Sequence, residues 1–273
     1  FRQHCPDCAR RARAKRAQRV SLEGRRALVT GGRIKIGHAL AMKLLRDGAE
    51  VHLTTRFPRD AESRFAAQPD AESWSDRLHI HGLDFRSLDH VVQRIEGWRD
   101  AEPFDILVNN AATNPHFGPL LDAEDSLWQK TIEVNLMGNV WLTQSVVPVM
   151  RERGGGKIIN IASINALRPG RMQGIYSITK AAVMSLTQTL AMELAEFNIK
   201  VNAVAPGLVQ TKFARAIWDN EYLLEPILQR TPLKRMGQPE DIAGMVVYLA
   251  SPASDFATGQ IYVVDGGLTI PTL

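Results

Sequence analysis

Cysteine is nearly absent from this sequence, and its two cysteines, Cys5 and Cys8, lie close to the first residue. Disulfide bonds therefore cannot hold the rest of the chain together, and a cysteine nucleophile is excluded there. Long apolar runs are missing too, since segments such as 146–150 are far shorter than the roughly 18 residues of a membrane-spanning helix. No apolar segment with a small-residue cleavage site opens the chain. We expect a cytoplasmic protein without a secretory signal or membrane contact.

Aromatic residues make up only 7% of the 273 residues, but the apolar fraction of 45% and the charged fraction of 23% are ordinary for a globular protein. These values exclude collagen-like, intrinsically disordered and disulfide-scaffold proteins. The length is sufficient for one large domain or two small ones.

Positive charge is concentrated at the start of the chain. Residues 1–19 contain seven positive side chains and one negative, whereas the whole chain has a net charge of +4, so the rest is slightly acidic. Cys5 and Cys8 have the spacing of half a zinc site, but the chain has no second pair. We interpret residues 1–20 as a solvated basic extension without an assigned function. Zinc shared with another subunit, an anionic partner, or nucleic-acid binding through the arginines are the alternatives.

From Val20 onward, short apolar runs alternate with stretches whose apolar residues recur every three or four positions, such as Leu40 and Leu44. Continuous apolar strands separated by helices are typical of a parallel sheet covered on both faces. We predict a single doubly wound, Rossmann-type α/β domain over residues 21–273. Its seven predicted parallel strands contain residues 27–29, 51–53, 78–80, 106–108, 158–161, 201–204 and 261–264.

The turn after the first strand has the composition of a phosphate-binding site. Gly31 and Gly37 allow the backbone to approach a phosphate, and the helix that we expect to begin at His38 offers free N–H groups to it. A glycine turn between a strand and a helix is common and is weak evidence by itself. Its position after the first strand of a parallel sheet is what favours phosphate binding.

The end of the second strand indicates which nucleotide binds. An acidic residue there accepts hydrogen bonds from the adenosine ribose in NAD sites, whereas this chain has Thr55 followed by Arg56. A guanidinium suits a 2′-phosphate, and Arg33 and Lys35 add two nearby cations. We predict NADP(H) as the cofactor, with solvated surface charges as the alternative.

Two further strand ends carry candidate cofactor residues. Asp84 and Phe85 follow the third strand, where they are placed to cap and cover an adenine, although Asp84 also suits a helix cap. Asn110 and Ala111 follow the fourth strand, where small residues let a flat ring lie against the backbone.

The fifth strand is followed by three residues that together suit proton transfer. Tyr176 and Lys180 are four residues apart, so on a helix they share a face, and the ammonium is expected to lower the phenol pKa from its usual value of about 10. Tyr176 would then exchange a proton near neutral pH, and Ser163 would hydrogen-bond the same substrate oxygen. Taken alone, a Tyr and a Lys at this spacing are more often solvent-exposed side chains without a catalytic role, but their position in this sheet favours catalysis.

From Ser21 to about Gly267 the sequence resembles the short-chain dehydrogenase/reductase family. The resemblance rests on the glycine turn, the Asn-Asn-Ala segment, an isolated asparagine, the catalytic serine, the Tyr-x-x-x-Lys pair and a Pro-Gly pair. These motifs fall on Thr30, Gly31, Gly37, Asn109, Asn110, Ala111, Asn135, Ser163, Tyr176, Lys180, Pro206 and Gly207, with similar stretches at 235–242, 258–260 and 265–267.

The resemblance implies roles for these residues. Tyr176 would donate a proton to a carbonyl oxygen while hydride arrives from the nicotinamide, and Ser163 would orient that oxygen. Lys180 would hold the nicotinamide ribose, and Asn135 would hold a water that links Lys180 to solvent. Further cofactor contacts are implied for Ile36, Pro206, Gly207, Val209 and Thr211.

The chain departs from the family pattern at two positions. Lys35 replaces the middle glycine of the turn, and Ala112 replaces the last residue of the Asn-Asn-Ala-Gly motif. If position 35 requires a positive φ, lysine costs free energy there. Alternatively, its ammonium binds a cofactor phosphate. Neither change removes a catalytic group.

We therefore predict an NADPH-dependent reductase of a carbonyl or imine group in a small-molecule substrate, a homodimer or homotetramer without a metal site. A redox-neutral dehydratase or epimerase and a cofactor-binding regulatory or scaffold protein are the alternatives, and NADPH oxidation by a carbonyl compound separates them from a reductase. Residues 212–237 are predicted to form a lid over the substrate. The other candidates for facing it are Asn114, Pro115, His116, Phe117, Asn165, Leu167, Arg168, Met172 and Gln173.

Overall fold

A computed structural model describes residues 20–87, 91, 98, 103–210 and 221–270. Seven parallel strands form one sheet in the order β3-β2-β1-β4-β5-β6-β7, which confirms the predicted fold class and all seven predicted strands. The basic extension lies outside the described residues. The strands are β1 Arg26–Thr30, β2 Glu50–Thr55, β3 Leu78–Gly82, β4 Ile106–Asn109, β5 Gly156–Ile161, β6 Ile199–Pro206 and β7 Ile261–Val264.

Helices cover both faces of this sheet. The prediction that the first helix begins at His38 is wrong by three residues, because a φ of +60° at Lys35 completes the turn there. In the part of the chain that the structure describes, no helix is both long and apolar enough to cross a membrane. The helices are α1 Lys35–Arg46, α2 Pro58–Ala66, α3 Asp125–Ile132, α4 Gly138–Glu152, α5 Gly174–Leu194, α6 Glu221–Arg230 and α7 Pro239–Ala250.

The sheet separates two apolar cores, because successive side chains of a strand point to opposite faces. Ala27 and Val29 of β1 belong to one core, together with Leu44 of α1. Leu28, between them, belongs to the other core, together with Leu142 of α4. This alternation explains why β1 has apolar residues at consecutive positions, as the sequence predicts for a strand buried on both faces.

The strand order reverses beside β1, which pairs with β2 on one side and with β4 on the other. Such a reversal opens a crevice beyond the carboxyl ends of the strands, where ligands of doubly wound folds bind. Gly31 follows β1, Asn110 follows β4 and Ser163 follows β5. The topology therefore brings the predicted motifs to one edge of the sheet.

Candidate active site

A cleft of about 1230 Å³ lies along the carboxyl ends of the strands. It brings together all but two of the predicted site residues. Asn135 is not among its lining residues, and Thr211 lies outside the described part of the chain. The predicted residues that do line the cleft are Gly31, Arg33, Lys35, Ile36, Gly37, Thr55, Arg56, Asp84, Phe85, Asn110, Ala111, Ser163, Tyr176, Lys180, Pro206, Gly207 and Val209.

The glycine turn is packed too closely for a side chain at Gly31 or Gly37. Gly31 has a φ of +64°, and a Cβ there would lie 3.0 Å from the Cα of Ala111. A Cβ on Gly37 would collide with the carbonyl oxygen of Gly31 and lie 2.5 Å from Nδ2 of Asn110. The same Nδ2 donates a 2.8 Å hydrogen bond to the carbonyl oxygen of Thr30. This rigid cradle of backbone groups at the start of α1 fits the pyrophosphate of a dinucleotide.

Lys35 occupies the left-handed backbone region that the family pattern reserves for glycine. Its φ of +60° costs a residue with a Cβ about 1–2 kcal/mol. Lys35 also lines the cleft. The positive φ confirms the first interpretation of this substitution, and binding of a cofactor phosphate by the Lys35 ammonium stays a prediction.

The three cations predicted around a 2′-phosphate differ in their surroundings. Arg33 forms a salt bridge with Asp60 of α2, and its guanidinium lies 4.9 Å from the ring centroid of Phe57. Arg56 lies 5.4 Å from the same ring and forms no ion pair with a described carboxylate. Thr55 Oγ1 accepts a 3.1 Å hydrogen bond from the N–H of Phe57 and so shapes this turn. Arg56 is thus the exposed guanidinium at the end of β2.

Asp84 lines the cleft but is held by its own loop. Both of its carboxylate oxygens accept hydrogen bonds from Nε of Arg86 at 2.9 Å, and Oδ1 accepts another from the Arg86 N–H at 3.1 Å. The Arg86 hydrogen bonds lower the pKa of this carboxyl. Asp84 therefore remains charged and orders the loop after β3, beside the buried ring of Phe85.

Ser163 and Tyr176 form a hydrogen-bonded pair at the end of β5. Ser163 Oγ accepts a 3.1 Å hydrogen bond from the N–H of Asn165 and is also hydrogen-bonded to the Tyr176 phenol. Tyr176 stands in the first turn of α5 and is only 8% exposed. Both residues line the cleft, where a substrate oxygen that replaced the bond between the two hydroxyls would meet two O–H donors.

Lys180 lies one helical turn further along α5 and is buried as well. Its Nζ donates a 2.7 Å hydrogen bond to the carbonyl oxygen of Ile161 and lies 5.7 Å from the ring centroid of Tyr176. The predicted shared helix face is therefore confirmed. The carbonyl oxygen of Ile161 accepts from one of the three N–H donors of the Lys180 ammonium.

The predicted lowering of the Tyr176 pKa is wrong in this structure. Burial raises the pKa of Tyr176 to about 12, although the hydrogen bond from Ser163 lowers it in part. Burial also lowers the pKa of Lys180 to about 8. The spacing of the two residues indicates the attraction between them but not their loss of hydration, which disfavours both charged forms. Tyr176 is consequently a protonated phenol at neutral pH, the form that donates a proton.

Asn135 lies beneath the cleft in a π-helical turn, Glu133–Met137, between α3 and α4. Its Nδ2 donates to the carbonyl oxygen of Thr113 at 2.9 Å and to Oγ1 of Thr179 at 3.1 Å, while Oδ1 accepts from the N–H of Thr113 at 2.7 Å. The side chain therefore joins the loop after β4 to α5, the helix of Tyr176. Its predicted link to a water stays a prediction.

The far side of the cleft is partly as predicted and partly new. Asn114, Phe117, Asn165, Arg168, Met172 and Gln173 line it, whereas Pro115, His116 and Leu167 are not among the lining residues. From the predicted lid, α6 contributes Tyr222, Pro226, Ile227 and Arg230. Four cations of the cleft were not named from the sequence, although Arg171 lies in the loop before Tyr176 and Arg230 lies in the predicted lid. The missed cations are Arg86, Lys130, Arg171 and Arg230.

Comparison with known proteins agrees with this geometry. A family model described as Enoyl-(Acyl carrier protein) reductase matches residues 34–269. Dehydrogenase/reductase SDR family member 4 from Oryctolagus cuniculus is 37% identical over 253 residues, which cover 92% of this chain and 95% of that protein. This chain belongs to the short-chain dehydrogenase/reductase family. The protein of the same name from Homo sapiens is 36% identical over 253 residues, which cover 92% of this chain and 89% of that protein.

Solved structures of the same family superpose closely. A gluconate 5-dehydrogenase from Burkholderia cenocepacia, in complex with NADP and tartrate, has a TM-score of 0.86 and 35% identity, covering 92% of this chain and 98% of that one. A putative 2-deoxy-d-gluconate 3-dehydrogenase from Agrobacterium tumefaciens with bound NADP has a TM-score of 0.80 and 33% identity, with coverage of 92% and 98%. The short-chain dehydrogenase/reductase family consists of oxidoreductases with this Rossmann-like fold, so the chain is an oxidoreductase.

Proposed function

We propose that this oxidoreductase uses NADPH to reduce a carbonyl or imine group of a small molecule, with Tyr176 as the proton donor. The observation that carries the proposal is the buried set of Ser163, Tyr176 and Lys180, which opens into the same cleft as the glycine cradle. When bound, NADPH supplies a hydride to the carbonyl carbon. The protein supplies the position of the reacting groups, the proton and the electrostatic environment.

The proton is transferred from Tyr176 to the substrate oxygen. Because burial keeps Tyr176 protonated, it binds that oxygen as a hydrogen-bond donor and gives up its proton as negative charge develops there. Ser163 donates a second hydrogen bond to the same oxygen, and the nearby Lys180 ammonium stabilises the tyrosinate that forms. The carbonyl thereby becomes an alcohol.

We infer that NADP(H) is preferred over NAD(H) because of the end of β2. The ribose-binding acid is replaced by Thr55, and Arg56 presents an exposed guanidinium beside it. Arg33 already pairs with Asp60, so Arg56 is the better 2′-phosphate ligand of the two. Two related structures contain NADP, which supports this choice. The homodimer or homotetramer implied by the family stays a prediction.

Arg56→Ala is expected to shrink the preference for NADPH over NADH by ~10-fold or more, because a charge-assisted hydrogen bond to the 2′-phosphate is lost. Titration of the purified protein with both cofactors measures the preference. Arg59→Ala, an exposed arginine of α2 that does not line the cleft, is the matched control and should leave the ratio unchanged. An unchanged ratio in Arg56→Ala would transfer the role to Arg33 or Lys35.

Carbonyl reduction is expected to slow as the pH rises through about 8. Burial lowers the pKa of Lys180 to about 8, so the ammonium is present below that pH and lost above it. Tyr176, with a pKa of about 12, stays protonated over the same range and does not contribute. A kcat/KM profile measures this limb, and Lys180→Arg should remove it because a guanidinium keeps its charge. Wild-type activity that rises steadily into alkaline pH would contradict the assignment.

The cations that line the cleft outside the predicted cofactor residues favour an anionic substrate. Lys130, Arg168, Arg171 and Arg230 line the cleft, and none of them pairs with a carboxylate among the described residues. Asp84 is the acidic residue that lines the described part of the cleft, and Arg86 neutralises it. An apolar-walled cleft lined by one sign of charge concentrates ligands of the opposite sign. The tartrate bound by the gluconate 5-dehydrogenase is such an anion.

The proposed function is tested by a screen of paired substrates, each pair a keto acid and its neutral amide, with NADPH oxidation as the readout. We expect NADPH consumption with some pairs and a kcat/KM about ten-fold or more higher for the acid at low salt, with the difference shrinking as salt is added. Preference for the amides would refute the anionic substrate class but not the reductase activity. Conversion without NADPH oxidation would favour a dehydratase or epimerase, and no turnover at all would favour a scaffold.

A further inference from the structure

A cluster of histidines lies on the outer strands of the sheet and takes no part in the cleft. His52 of β2 is paired in register with His79 of β3, and His81 lies two residues further along β3. Alternate residues of a strand share a face, and so do Glu50 and His52 of β2. The His52 ring centroid lies 4.5 Å from that of His79 and 5.2 Å from that of His81.

Three side chains of this cluster converge on one point. Glu50 Oε1 lies 2.9 Å from Nε2 of His79 and 3.3 Å from Nε2 of His52, and the three atoms all lie within 4.8 Å of one another. In a tetrahedral zinc site, ligand distances of about 2.0–2.1 Å place the ligand atoms about 3.3–3.5 Å apart. Only small shifts would therefore let the three atoms bind one ion.

Neighbouring groups orient the three side chains. Arg26 donates hydrogen bonds from Nε and Nη2 to Glu50 Oε2, at 3.2 and 3.1 Å, so that Oε1 is the oxygen directed at the histidines. His52 Nδ1 lies 3.0 Å from Nε2 of His81. With His52 Nε2 on a metal, Nδ1–H donates to His81, which fixes the tautomer as in known metal sites. Phe104 packs edge-on against the His52 ring at 5.0 Å.

The cluster is open enough for an ion to enter. The side chains of Glu50, His52 and His79 are 32%, 16% and 41% exposed. Two imidazoles and a carboxylate are a ligand set that zinc uses when a water fills the fourth position. The half-exposed ring of His79 leaves room for that water.

We propose that Glu50, His52 and His79 bind Zn²⁺ and so tie the edge strand β3 to β2. This departs from the sequence analysis, which predicts no metal site in this part of the chain. The ligands do not line the cleft, and Thr55, at the cofactor end of β2, is three residues from His52, or about 10 Å along a strand. The ion consequently stabilises the edge of the sheet and takes no part in hydride transfer.

The experiment is calorimetric titration of chelator-treated full-length protein with Zn²⁺. Every protein carries Cys5→Ser and Cys8→Ser, because that cysteine pair is a competing ligand. We expect one zinc ion per chain and a rise in Tm of ~3 °C or more at saturation. His79→Gln should weaken zinc binding by ~100-fold or more and abolish the rise in Tm, and His81→Gln should weaken it by ~10-fold.

His116→Gln, which alters an exposed loop histidine, is the matched control and should bind zinc as the parent does. The metal-free Tm of each variant reports on folding, and His52→Gln provides a second test if His79→Gln is unstable. If the cluster is only a hydrogen-bonded network in which both imidazoles donate to Glu50, zinc will leave the Tm of the parent unchanged. That result, or equal zinc binding by the parent and both histidine variants, would overturn the proposal.

Discussion

Tyr176→Phe is expected to lower kcat for carbonyl reduction by ~100-fold or more while the Kd for NADPH changes by less than about three-fold. General acid catalysis contributes roughly 10²–10⁴-fold, and this phenol is the donor directed at the proposed substrate oxygen. The ring itself is retained, so the walls of the cofactor site are unchanged. Loss of the hydrogen bond from Ser163 costs stability of only about 1 kcal/mol.

Steady-state kinetics and a separate NADPH titration distinguish chemistry from binding in this variant. Tyr248→Phe is the matched control, because Tyr248 lies on α7 and is 37% exposed, with no place in the cleft. It should turn over at the wild-type rate. A kcat of Tyr176→Phe within about ten-fold of the wild-type value would mean that the proton has another source.

Gly37→Ala is expected to weaken NADPH binding by ~100-fold or more and to lower the free energy of unfolding by about 1–3 kcal/mol. The added methyl group would collide with the carbonyl oxygen of Gly31 and with Nδ2 of Asn110, which are the groups that shape the phosphate cradle. Neither atom is the end of a flexible side chain in open space, since Asn110 is itself bonded to Thr30. Relief of the clash must move α1 away from β4.

The control for this prediction is Gly244→Ala. Gly244 is also helical, on α7, but a Cβ there would meet no atom within 4 Å. Helix propensity alone makes alanine more stable than glycine by about 1 kcal/mol, so the control should have equal or higher stability and unchanged NADPH affinity. Calorimetric Tm values and NADPH titrations of the two variants provide the comparison. If the two variants had the same Tm and the same NADPH affinity, the turn would tolerate the added methyl group despite its close contacts, and the prediction would be wrong.

The sequence by itself determined the strands and the positions of the cofactor and proton-transfer motifs. These features are local, because short apolar runs, helical spacing and the glycine requirement act over a few residues. Ser163, Tyr176 and Lys180 therefore meet where the pattern predicts. Family resemblance, and not the residues alone, supplied the hydride chemistry.

Only the tertiary structure decided the electrostatics. Burial reverses the expected shift of the Tyr176 pKa, because the loss of hydration depends on the groups that surround the phenol and not on its spacing from Lys180. Asp60, on α2, pairs with Arg33 in the turn before α1 and leaves Arg56 as the exposed cation. The meeting of His52 and His79 likewise depends on strand register, which pairs residues far apart in the chain.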